Sequence, residues 1–179
     1  MGWLRRWLGE QLPDDFPGEL APAENALASA EVAYGGHVVV TELGLWLPEG
    51  RRVGWHLISK AVWREGILTV VEADEVAAAG AAIILADRDP VRLALPRPGK
   101  VPVMVRQRVD GSIRGRHRQD VTGGGVWFVR RKVPGRDGSV LQARPDPGVD
   151  PATVSAIARE AAEKMSDVPS GPPGGTLDP

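Results

Sequence analysis

Arg114, Arg116 and Arg118 alternate along the segment SIRGRHRQDV. In an extended strand alternate residues share a face, so this spacing sets three guanidinium groups about 7 Å apart on one side. A second segment, GVWFVRRKV, adds Arg130, Arg131 and Lys132 beside Trp127 and Phe128. Cations next to aromatic rings bind phosphates by charge and bases by stacking, the chemistry of single-strand nucleic-acid binders. The same cations suit an acidic protein surface or another anionic surface. The plainer alternative is an exposed sheet face whose arginines pair with Asp74, Glu75 or the acids of the last helix, and whose charge keeps a strand edge from aggregating.

Little else in the chain has the spacing of a reactive site. His37, His56 and His117 are the three histidines. They form no H-x-x-x-H or H-E-x-x-H pattern, so no metal site is expected. No G-x-S-x-G elbow occurs, which leaves a serine triad without its nucleophile turn. Gly123-Gly124-Gly125 lacks the Lys-Ser or Lys-Thr of a phosphate loop and reads as a hairpin turn. With no cysteine, disulfides, thiolate zinc sites, iron–sulfur clusters and cysteine nucleophiles are excluded. The expectation is a protein that is not an enzyme and carries no cofactor.

Charge is segregated along the chain. The net charge is −1, yet Arg97 to Arg144 holds 12 Lys and Arg against three acids. Such asymmetry marks either an anion-binding face or two faces of one domain that attract each other. No window has the roughly 18 uninterrupted apolar residues of a membrane span, and the first 20 residues lack the apolar core of a secretory signal. A cytoplasmic location is expected.

These side chains need a scaffold, and the stretch from His37 to Glu72 supplies its centre. Short runs rich in Val, Ile, Leu, Thr and Trp are divided by Leu43-Gly44, Glu49-Gly50 and Glu65-Gly66. That is the pattern of an antiparallel meander curling toward a barrel. ALASAEVAY, HVVVT, LGLWLP, RRVG, SKAVWR, ILTVVE, AAIILA and the run from Arg92 to Leu95 read as strands. The acidic, alanine-rich stretch from Ala73 to Gly80 reads as a loop. Pro102 opens a helix to Ser112, with Val101, Val105, Val109 and Ile113 spaced by four. The basic hairpin and SVLQAR follow. Asp150 caps a last helix that begins at Pro151 and presents Val154, Ile157, Ala158, Ala161 and Met165 on one face. Trp46, Trp55 and Trp63 fall within the central sheet, where packing is the expected use. Trp3, Leu4, Trp7, Leu8 and Leu12 lie at helical spacing with Arg5 and Arg6 opposite, a short helix that either docks on the fold or touches a membrane surface.

Strands in a meander followed by a closing helix resemble the pleckstrin-homology superfold over Ala26 to Ile113. The wording TELGLWLP, RRVGWHLISKAVW, GILTV, VRQRVDGSI, RRKVPG and DPGVDPAT resembles a family of uncharacterised proteins from high-GC bacteria, from about Asn25 to Met165. The resemblance implies a PH-like barrel with an appended sheet and helix; it implies no activity and no site. Lipid-binding PH domains gather cations in their early loops, where this chain has only Arg51 and Arg52.

The expected fold is therefore α+β and mainly β: a PH-like curled antiparallel barrel with a capping helix, then a hairpin sheet and a C-terminal helix. Residues 1–24 would be a short helix and linker, 25–113 the barrel, 114–165 its extension, and 166–179 a Pro/Gly tail too polar to fold. The expected function is binding of a protein partner or an anionic surface through Arg114, Arg116, Arg118, Arg130 and Arg131. Nucleic-acid binding by residues 113–133 is the alternative, and membrane contact through the N-terminal helix a third.

Overall fold

The computed structural model describes residues 11–166, so the expected N-terminal helix up to residue 10 and the tail from residue 167 lie outside the described residues, while Leu12 packs beside Trp46 and Ser166 ends the last helix. Four strands, β1 (Ala26–Glu31), β2 (His37–Thr41), β3 (Gly44–Trp46) and β4 (Arg52–Gly54), form one antiparallel sheet in sequential order. Its tightest corner is built by Thr41, whose hydroxyl oxygen accepts the N–H groups of Leu43 and Gly44 at 3.2 and 3.1 Å. Gly44 is required there, because a Cβ would lie 2.3 Å from the Val53 carbonyl oxygen.

A single 3-10 turn, Trp55–Leu57, leads into β5 (Ile58–Arg64), β6 (Ile67–Ala79), β7 (Ala82–Asp87) and β8 (Val91–Ala94). Glu65 and Gly66 both have positive φ, 52° and 77°, the requirement of a two-residue hairpin turn between twisted strands. The 13-residue strand β6 changes partners midway. Ile67 to Val70 lie between β5 and β8, whereas Ala73 to Ala79 pair with β7.

The loop expected from Ala73 to Gly80 is thus corrected: it is the second half of a strand. Pairing with β7 fixes the backbone, and Asp74 to Ala78 remain exposed between buried Ala73 and Ala79. Low intrinsic strand preference is overridden by the partner strand.

Helix α1 (Val101–Ser112) follows, with Val101, Val105 and Val109 buried at four-residue spacing. They join Val38, Val40, Leu45, Ile58 and Leu93 in the barrel core. The chain then forms β9 (Ile113–Val121), β10 (Gly124–Lys132), β11 (Ser139–Pro145) and α2 (Pro151–Ser166). Strand β11 pairs with β7 in parallel, so the second sheet runs β5-β6-β7-β11-β10-β9 with β8 beside β6. Asp150 caps α2 by accepting the Thr153 N–H at 2.9 Å.

Helix α2 lies over β7, β11 and the end of β6. Val154 and Ala158 are buried as expected, with Ile157 and Ala161 packed at the margin. Ala162 completes the buried stripe, and Met165 at its end is 38% exposed. The molecule is mainly β, with a curled sheet that is antiparallel except at β7–β11, a separate four-stranded antiparallel sheet, a helix closing the first core and a C-terminal helix. Two larger apolar cores result, one under α1 and one under α2, and a third, small cluster of Ala26, Val39 and Trp46 on the other face of the first sheet is covered by Leu12, Phe16 and Leu20.

Candidate partner-binding site

The basic hairpin distributes its cations over two faces. Pairing of Trp127 with Arg118 and of Val129 with Arg116 puts these four residues on one face. Phe128 with His117 and Arg130 with Gly115 occupy the opposite face, toward α2. An irregularity between Arg130 and Arg131 leaves Arg114 between the paired residues Ile113 and Gly115. Its Nη1 donates to the Gly111 carbonyl at 3.2 Å. The five arginines therefore do not form one site.

Arg118 is held by its neighbours. Nη2 donates to Asp146 at 2.7 Å, Nε to Asp120 at 3.3 Å, and the guanidinium sits 5.6 Å from the Trp127 ring centroid. Gly125 makes room, because a Cβ there would lie 2.5 Å from the Arg118 guanidinium carbon. The hydrogen bond to Asp146 raises the pKa of Arg118 and lowers that of Asp146.

Arg131 is 2% exposed and serves the junction between the two cores. Its Nη2 donates to the carbonyls of Trp55 and Ile58, and the nearby Gln142 amide donates to the His56 carbonyl at 2.7 Å. Burial, and then the charge of Arg144, bring the pKa of Arg131 down to about 10. Burial likewise lowers the pKa of His56, helped by Arg131 and Arg136. A similar device closes the first sheet. Buried Glu24 accepts from the Thr41 hydroxyl, Trp46 Nε1, Arg52 and the Ala21 N–H. Burial alone would raise its pKa, but these four partners outweigh it and the net shift is downward.

Part of the segregated charge is used internally, since Arg97 pairs with Glu31, Arg118 with Asp146 and Arg144 with Asp87. The carboxylates differ from Asp74 and Glu75; Asp74 pairs with Arg88 instead.

What remains on the α2 face is a groove of about 420 Å³. Phe128, Leu141, Ile157 and Ala161 supply apolar lining, and Arg130 and Lys164 supply cations from the α2 face, while Arg116 borders the groove from edge strand β9 although its side chain starts on the opposite face. Lys164 pairs with Glu160 at 2.6 Å, whereas Arg116 and Arg130 have no ion pair among the described residues. Beside the groove runs β9, an end strand of the sheet that pairs only with β10 among the described residues. Its residues from Arg114 to Asp120 are all exposed.

Sequence reasoning missed Leu141 and Lys164 as groove residues and Gln142 and Glu24 as buried anchors. Strand alternation alone could have separated Arg130 from Arg131. For Glu24 no sequence signal exists. Among the described residues no group of three or more His, Asp or Glu is placed to hold a metal, and no helix is long and apolar enough to cross a membrane. No protein-family model, no curated protein and no solved structure matches the chain.

Proposed function

We propose that this chain is a non-catalytic interaction module that binds an extended, acidic segment of a partner protein along β9. A single juxtaposition carries the reading: an unpaired strand edge beside an apolar groove bordered by the unpaired cations Arg116 and Arg130. An added strand gains main-chain hydrogen bonds from the edge, and its alternate side chains enter the groove. Carboxylates on the segment would meet the two guanidinium groups, which favour planar, bidentate partners. A cytoplasmic location and kinship with the uncharacterised family from high-GC bacteria belong to the same proposal.

Nucleic-acid binding has less support from the geometry. Phe128 is buried in the second core, and the Trp127 ring already carries Arg118. Trp127 is 38% exposed, so the hairpin offers one aromatic platform where single-strand binders stack successive bases on several.

The test is affinity capture of the tagged full chain from its native cell extract, with and without nuclease, beside an Arg116→Glu/Arg130→Glu variant. The expected result is a stoichiometric protein that survives nuclease and is lost with the variant. Proteins recovered only without nuclease would assign the module to nucleic acid, and a partner retained by the folded variant would move the site elsewhere.

A further inference from the structure

A second concave site lies at the other end of β9, away from the α2 groove. It is about 670 Å³ and is walled by α1, the turn after β2 and the segment that follows β10. Three cations from three elements line it: Arg108 of α1, Arg114 at the start of β9 and Lys132 at the end of β10. Among the described residues none of the three is in an ion pair, whereas Arg106, elsewhere on α1, pairs with Asp110. Glu42 also lines the site, its carboxylate accepting from the Asn25 N–H at 2.8 Å and side-chain amide at 3.1 Å, so cations exceed anions there by three to one. Like charges gathered around one hollow repel each other, and that repulsion is relieved by a bound anion.

The walls define the ligand further. Leu43, Met104 and Pro134 provide apolar surface, and the volume lies within the range of small-molecule sites. The negative end of α1 faces this region and would oppose an anion. Two of its carbonyls are already occupied, Gly111 by Arg114 and Val109 by the Ser112 hydroxyl at 2.6 Å. Two guanidinium groups and one ammonium match the several oxygens of a phosphate better than the two of a carboxylate.

We infer that this hollow binds a small, soluble organic phosphate, with the phosphoryl group among Arg108, Arg114 and Lys132 and the organic part against Met104 and Leu43. The site is independent of the β9 groove, so either assignment can fail without the other.

Phenyl phosphate serves as the probe, titrated calorimetrically into the full chain. Saturable one-to-one binding is expected, weakened about ten-fold or more by Arg108→Ala or Lys132→Ala, equivalent to about 1.4 kcal/mol. Gly111→Glu should abolish binding, since it brings a carboxylate to the hollow at a helical position where a Cβ meets nothing within 4 Å. Arg92→Ala on β8, outside the hollow, should leave the affinity unchanged. Circular dichroism confirms that each variant is folded. No saturable binding to the folded wild type, or equal binding by all variants, would overturn the inference. Sedimentation with phosphatidylcholine vesicles containing phosphatidic acid, without binding of phenyl phosphate, would also overturn it and assign the cations to a lipid surface.

Discussion

Arg131 illustrates how a residue type can point to one role and its position to another. Beside Arg130 and Lys132 it extends a basic run, but strand alternation turns it away from Arg130 and into the junction at the 3-10 turn. Its replacement by Met keeps much of the volume and removes both hydrogen bonds, leaving the Trp55 and Ile58 carbonyls to be satisfied by other groups. A loss of about 2–4 kcal/mol is expected in urea unfolding. The same junction makes stability depend on pH through His56. Its pKa in the folded protein is lowered from 6.5, so the unfolded chain takes up the proton first as pH falls. Stability from this group is then constant above the unfolded pKa and declines between 6.5 and the lower folded value. His56→Gln should flatten that slope in urea midpoints measured from about pH 8 to about pH 5. The carboxylates with lowered pKa, Glu24, Asp146, Asp150 and Glu160, act in a separate window below their ordinary values of 4.5 for glutamate and 3.8 for aspartate.

At the scale of elements, what was legible followed from local chemistry. Helix α1 begins one residue before the expected Pro102 and ends at Ser112, because proline in the first turn and valines every four residues are both local signals. Cap Asp150 with Pro151 set the start of α2 in the same way. The second half of β6 was hidden because its stability comes from β7 and not from its own alanines and acids. The β9 edge was partly legible: alternation identified its charges, but only the strand order shows which side is unpaired. Gly111 offers a test of helix propensity in isolation. It lies in the last turn of α1, and an added Cβ meets nothing within 4 Å. Gly111→Ala should stabilise the protein by about 0.5–1 kcal/mol through lower unfolded-state entropy and better helix propensity, read as a raised thermal midpoint. An unchanged midpoint would mean that the last turn of α1 is not formed in the state that unfolds, and a lowered one that the native backbone at Gly111 disfavours a Cβ.

Over the whole molecule, the two larger apolar cores form separate clusters: one gathers under α1 and the other under α2. Besides the direct passage of α1 into β9, two features join them. Strand β6 continues from the first into the second, and Arg131 with Gln142 binds three carbonyls of the segment 55–58. Neither a shared strand nor a buried polar junction is visible to hydrophobic patterning, which is why the sequence reads as a barrel with an attachment. The polar junction transmits stability because each unpaired group left at a buried interface is penalised. The wild-type chain should therefore unfold in one cooperative step, with amides of β2 and β10 exchanging hydrogen at the same global free energy. In the Arg131→Met/Gln142→Leu double variant the polar anchors are gone, and β6 and the α1–β9 passage remain as links. Exchange in β10 should then become faster than in β2, and the urea transition should broaden or split. Unequal free energies already present in the wild type would sink this account, because the cores would then be independent and the arginine at the junction would act only locally.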